Sequence, residues 1–445
     1  MGMRKSEVGR AVVLVVLAAA VLILVAGAGV AGACKLTPLD CHLRATPDAL
    51  SRTSGDVSLP DRFSAETVMS GLDVPTSFDF LPDGRVLIAE KSGLLKLVAD
   101  GEVAPTPVLD LSDRISVSTY RGLVAVAVDP DFDENHFIYV VYTPKRPGIA
   151  ADSEAPTHTL VSRFTVSGNT AGNERAILGR AGRAAGTCAK LPSTADCIRL
   201  EHEHSGGGIA FARDGTMFVA TGDGGGRRGV GVEDTAFGAQ DVDALGGKIL
   251  RVTRDGQGLA SNPFFDGDAT SNRSKVWALG LRNPFRLALT PASGLPVVGD
   301  VGWRTADEVD VARAGVNLGW PCYEGRMRTP EFKATSRCAA MYRRGDEVQQ
   351  PTIESLVAGS SSLTGGVFYT GDIYPEEYRE YFYADWVRGW IRHAPLDPRT
   401  GTLLGELSEF GEGAGGPVAF RMGSDGLLYV LALNYGELYR ITYSE

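Results

Sequence analysis

From Phe63 onward the chain repeats one short pattern, a turn bearing Gly, Asp or Asn followed by an apolar run rich in Val, Ile, Tyr and Phe. It stands at Leu81–Gly84 before Arg85–Ala89, at Asp131–Asn135 before Phe137–Tyr142, and at Arg213–Gly215 before Thr216–Thr221. It returns at Ala292–Gly294 before Leu295–Val298, at Tyr378–Glu380 before Tyr381–Asp385, and at Ser424–Gly426 before Leu427–Leu433. Short apolar runs bounded by such turns read as strands. Their recurrence at intervals of roughly 45–85 residues predicts a radially repeated all-β array. The expected fold is a six-bladed β-propeller over residues 63–445. A pair of β-sandwiches is the competing architecture, and the single repeating unit disfavours it.

The N-terminus breaks this pattern. Arg4, Lys5 and Arg10 precede an unbroken apolar run from Ala11 to Ala33, long enough to cross a bilayer as a helix. Ala31-Gly32-Ala33 also has the small-x-small form of a signal cleavage site. Residues 1–34 are therefore expected to be a signal peptide or signal anchor, with lipidation of Cys34 as a third option, and 35–62 a linker. Each option places the remainder outside the cytoplasm, secreted or attached to the membrane through this segment.

Composition changes the picture little. Among 445 residues, 55 glycines, 23 prolines and 44% hydrophobic content describe a turn-rich globular chain. The formal net charge of −10 argues against a nucleic-acid partner, whose phosphates need a basic footprint. The six cysteines fall in three close couples, Cys34 with Cys41, Cys188 with Cys197 and Cys322 with Cys338. Proximity suggests three local disulfides, as an oxidising compartment permits.

Candidate chemistry is concentrated in Glu201–Gly226, which holds two of the six histidines. Asp214-Gly215 turns one strand into the next, and a hairpin returns its ends to one edge. His204 at the entry is thereby brought near Asp223 at the exit, an imidazole beside a carboxylate as a general base requires. A surface histidine beside a turn aspartate is the plainer alternative, and alternate-position metal ligation by His202 and His204 a third. Arg282, in Gly280–Arg286, has a planar fork suited to an anionic or carbonyl-rich ligand, and equally to satisfying carbonyls of its own loops. Gly299–Trp303 followed by Asp307-Glu308 is an acidic turn of the kind calcium favours. Asp243–Arg251 is glycine-rich but lacks Walker spacing.

Together these segments resemble the glucose/sorbosone dehydrogenase family of soluble quinoproteins. The resemblance runs from about Val68 to Ile441 through PTSFDFLPDGRVLIAEKSG (75–93), RGLVAVAVDPDFDENHFIYVVYT (121–143), HSGGGIAFARDGTMFVATGDGG (204–225), LGGKILRV (245–252), GLRNPFRLAL (280–289), VGDVGWRTADEVD (298–310), NLGWPCYEG (317–325) and TGGVFYTGD (364–372). It implies a six-bladed propeller holding pyrroloquinoline quinone (PQQ) and calcium at the channel mouth. Position by position, it implies His204 as base, Asp223 as its partner, Arg282 and Asn283 beside the hydride-accepting carbonyl, and the Gly302 and Trp303 carbonyls on calcium. The implied activity is oxidation of a sugar or polyol hydroxyl, at C1 of an aldose, with electrons passed to an external acceptor.

The sequence departs from the family at four places. Val387 stands where quinone-binding members carry a lysine, and Gly413–Val418 has no basic residue where they carry two arginines. Gly208 replaces an arginine and Leu281 a common histidine. Arg388, beside Val387, is the expected cofactor cation, with Arg286, Arg304, Arg392 and Arg421 as further compensating charges. Burying carboxylates without cations costs several kcal/mol. A second reading therefore stands beside the first, a non-catalytic carbohydrate- or protein-binding propeller that has lost quinone affinity.

Overall fold

The computed structural model describes residues 52–226, 231–357 and 360–444; the N-terminal apolar run, Cys34, Cys41 and most of the expected linker lie outside them. Six antiparallel sheets succeed one another, each built on four strands in sequence order. Their inner strands are Pro75–Phe80, Leu123–Val128, Ile209–Phe211, Pro284–Leu289, Leu363–Phe368 and Pro417–Met422, which we number as blades one to six. The second strands are Val86–Glu90, Phe137–Tyr142, Met217–Thr221, Pro296–Asp300, Tyr381–Asp385 and Leu428–Ala432, corresponding to the six apolar runs read from the sequence. Blade six is closed by the start of the domain: Phe63–Met69 pairs with Glu437–Tyr443, Phe63 opposite Tyr443. The all-β six-bladed propeller is the fold.

The apolar runs are continuous because a second strand is buried on both faces. In Met217–Thr221, Met217 and Val219 pack toward blade two, and Phe218 and Ala220 toward blade four. In blade one, Val86 and Ile88 face blade six while Leu87 and Ala89 face blade two. Six apolar clusters, one at each blade interface, form the core.

This topology sorts the loops by end. Inner-hairpin turns such as Asp214-Gly215 lie at one end of the barrel. Segments entering the inner strands, and loops leaving the second strands, lie at the other, which is the channel mouth. One insertion, 312–352 in blade four, runs beside blade three, where Asn317 bridges Leu279 and the Trp320 N–H donates to the Gly280 carbonyl at 3.0 Å. It carries the nine-residue helix Ser336–Arg344, and its Trp320, Phe332 and Met341 form a satellite core with Phe237 of blade three. Among the described residues no helix is long and apolar enough to cross a membrane. Cys188 bonds Cys197 and Cys322 bonds Cys338. Upstream of Phe63, Ser54 is buried and its N–H donates to Glu437 at 2.8 Å, so ordered packing starts inside the stretch expected to be linker.

Candidate active site at the channel mouth

His204 enters blade three and Asp223 leaves its second strand, so the hairpin brings the two together at the mouth. His204 Nδ1 lies 2.7 Å from Asp223 Oδ1, and both side chains are buried. A carboxylate only accepts, so the Nδ1 proton is fixed there and Nε2 keeps its lone pair in the neutral ring. Burial pushes the imidazole below its usual value, Arg282 adds to that, and Asp223 opposes it. Burial alone would raise Asp223, but His204, Arg282 and the Gly225 N–H outweigh it and hold the carboxyl below its usual range. The result is a neutral imidazole on an ionised carboxylate. Nε2 faces Gly226, where a Cβ would stand 2.6 Å from it; only glycine leaves that nitrogen clear.

The backbone beneath this pair is held by a residue the sequence reading did not single out. Arg121, itself buried, donates to the carbonyls of Glu201 and His202 at 3.0 and 2.8 Å, and to Ala155 at 2.8 Å. It ties the strand-entry segment of blade three to the rim of blade two. His204 itself has φ +50°, a left-handed conformation uncommon outside glycine and found at functional sites.

Arg282 and Asn283 occupy the crossing from blade three to blade four. Their backbone N–H groups donate to Asp300 at 2.9 and 2.6 Å, and the Arg282 carbonyl accepts from Asp223 N–H at 2.8 Å. The Arg282 guanidinium donates to the carbonyls of Val301, at 2.9 Å, and Gly302. Thus the imidazole, the carboxylate, the guanidinium and the Gly302–Trp303 turn form one connected cluster. The carboxylates nearest that turn meet its N–H groups: Asp307 accepts from Gly302, and Glu324 from Trp303, Arg304 and Thr305. Among the described residues no group of three or more His, Cys, Asp or Glu is placed to hold a metal. Of the two turn carbonyls expected to hold calcium, that of Gly302 already accepts from the Arg282 guanidinium.

Trp320, from the insertion, is the second residue missed. Its indole N–H donates to Asp223 Oδ2 at 2.7 Å, its ring lies 5.5 Å from the Arg282 guanidinium, and its edge meets Trp303 at 6.3 Å. It sits 97 residues from Asp223, and no local pattern links them.

The cations expected to compensate at the rim are mostly engaged elsewhere. Arg286 is buried inside the channel, donating to Val418, Thr76 and Val124 on the inner strands of blades six, one and two. It plugs the channel instead of lining its mouth. Arg421 pairs with Asp79, Arg392 with Glu409, and Arg304 with Glu331. Arg388 remains at the mouth, its guanidinium at 3.4 Å from the Ser360 carbonyl. Val387 beside it is 44% exposed. Gly415 and Gly416 have φ +68° and +69°, and Cβ atoms there would strike Tyr435, Asn434 and Trp386 at 2.2–2.9 Å. Trp386 of blade five meets Tyr120 of the opposite blade two, ring centroids 6.5 Å apart, across the mouth. The side chains therefore suit the reacting end of an ortho-quinone, with an imidazole and a guanidinium together. The far end is aromatic and glycine-rich where a carboxylate clamp would stand.

Residues 72–440 match the family model described as Glucose / Sorbosone dehydrogenase. The chain is similar to aldose sugar dehydrogenase YliI of Escherichia coli, 26% identical over 73% of this chain and 78% of that one. It is also similar to the mouse Hedgehog-interacting protein, 26% identical over 72% of this chain but only 42% of the relative. In three dimensions it resembles the PQQ-bound aldose sugar dehydrogenase of Streptomyces coelicolor, TM-score 0.62 at 21% identity, covering 87% of this chain and all of that one.

Proposed function

The chain belongs to the glucose/sorbosone dehydrogenase family, and from that premise we propose that it oxidises a sugar or polyol hydroxyl, such as C1 of an aldose, at the channel mouth. The observation that supports this most is the 2.7 Å contact between His204 Nδ1 and Asp223 Oδ1, with Arg282 in the same cluster. His204 Nε2 takes the hydroxyl proton, and Asp223 stabilises the imidazolium that forms. When bound, PQQ would supply an electron-poor carbonyl as hydride acceptor and calcium its polarisation; the Gly302–Trp303 turn would hold that ion only with the Gly302 carbonyl released by Arg282. Arg282 stabilises negative charge developing beside it, Asn283 and Arg388 add polar contacts, and burial strengthens these interactions. Electrons then leave to an external acceptor. Two disulfides agree with an extracytoplasmic setting, secreted or membrane-attached through the N-terminal segment.

The aromatic, cation-poor far rim favours a second reading, a carbohydrate- or protein-binding propeller without quinone chemistry. Dye-linked oxidation across a panel of aldoses and polyols, after loading with PQQ and calcium, separates the two. The dehydrogenase reading expects turnover in the wild type and its loss in His204→Gln. A wild type inert toward the whole panel leaves the binding reading.

A further inference from the structure

We propose that Trp320 is the positioning residue of the His204–Asp223 pair, a role that rests on reading His204 as the base. Asp223 is buried and accepts from three separate segments. His204 and the Gly225 N–H, at 2.9 Å, meet Oδ1, and the Trp320 indole meets Oδ2. Those donors fix the rotation of the carboxylate, and so the direction in which Oδ1 is offered to the imidazole. Without the indole N–H, a buried oxygen loses its donor, and the carboxylate gains by rotating toward those that remain. The Nδ1–H tautomer then loses its hold.

Trp320 is itself held stiffly. Its carbonyl accepts from Gln240 Nε2 at 2.7 Å, and Gln240 and Asn317 exchange side-chain hydrogen bonds at 2.9 and 2.7 Å. Its ring packs edge-on against Phe332 at 5.4 Å and Trp303 at 6.3 Å. Any buried indole N–H needs an acceptor, and here the acceptor is the carboxylate that holds His204 in orientation. The same ring also sits beside Arg282, so one side chain from the insertion sets the place of both the pair and the guanidinium.

The test is Trp320→Phe, which keeps an aromatic ring and removes the N–H. Should that variant not fold, benzothienylalanine at position 320 removes the N–H at nearly unchanged shape. The imidazole nitrogens of His204 are followed by long-range proton–nitrogen spectra of the ring-labelled protein without cofactor. Wild type is expected to show one tautomer, with the proton on Nδ1. The variant is expected to show a mixture in which Nε2 carries part of the proton, and Trp320→Ala a larger share still. In the loaded enzyme, kcat should fall about 10–100-fold, the range seen when an orienting partner is removed, with KM unchanged. A variant whose tautomer matches wild type overturns the proposal. Absence of sugar oxidation in wild type counts against His204 as base instead, because the tautomer readout needs no turnover.

Discussion

His204 combines a left-handed backbone, a buried ring and a single committed nitrogen, and each feature has a separate cause. Arg121 holds the carbonyls of Glu201 and His202 just upstream, the burial comes from the glycine-rich loops, and the committed nitrogen from Asp223. Because burial and Arg282 hold the imidazole below its ordinary value of 6.5, proton abstraction by the neutral ring requires no alkaline pH. The acid limb of kcat/KM is expected below pH 6.5, with rate lost as His204 protonates, and a pH–rate profile checks it. The pair was legible because a hairpin is local: Asp-Gly places entry and exit side by side. Trp320 and Arg121 were not, since they come from blade four and blade two and no spacing rule relates them to His204. Arg286 shows the opposite failure. Its neighbours on the chain suggest a rim cation, but strand pleat turns it into the channel, where carbonyls of three other blades surround it.

At the scale of elements, the six second strands were readable because two-sided burial leaves unbroken apolar runs. The helix Ser336–Arg344 was not read, although Thr335 caps it by accepting from Cys338 N–H and Gly345 ends it in the left-handed region. Nine residues are too few for helical periodicity to show. That helix is tied to the Trp320 segment by Cys322–Cys338, a separation of 16 residues. The double variant Cys322→Ser, Cys338→Ser should lose about 3 kcal/mol of stability by the loop-closure estimate. Urea unfolding measures it. Asp310, paired across strands with Val298, is wholly buried, and its carboxyl meets that of Glu308. Burial, with Asp300 nearby and against the opposing hydrogen bond to Glu308, pushes its carboxyl up to about 8. A raised folded-state value means that this contribution is full below the unfolded value of 3.8 and is lost as pH rises through about 8. Asp310→Asn should therefore gain about 1–4 kcal/mol at pH 9 and flatten the decline, as urea midpoints from pH 5 to 9 would show.

For the whole molecule, stability is spread over six similar interfaces and one closure. Phe63 sits at that closure, packing against Tyr374, Tyr378 and Phe410 from blade five and Tyr443 from the partner strand, with centroids 4.8–5.0 Å apart. Phe63→Ala should cost about 3–5 kcal/mol by the range for buried aromatics, as urea unfolding would measure. The closure also explains why one repeating pattern sufficed to reveal the architecture, while the mouth, assembled from loops of every blade, was only partly visible. The central claim is that His204, Asp223 and Arg282 surround a sugar hydroxyl while the hydrogen on its carbon departs as hydride. Stopped-flow reduction of the PQQ- and calcium-loaded protein, using an aldose deuterated at C1 against its protiated form, tests it most directly. Rapid reduction is expected, slowed several-fold by deuterium and absent in His204→Gln; reduction insensitive to deuterium, or equally fast in His204→Gln, would rule this chemistry out.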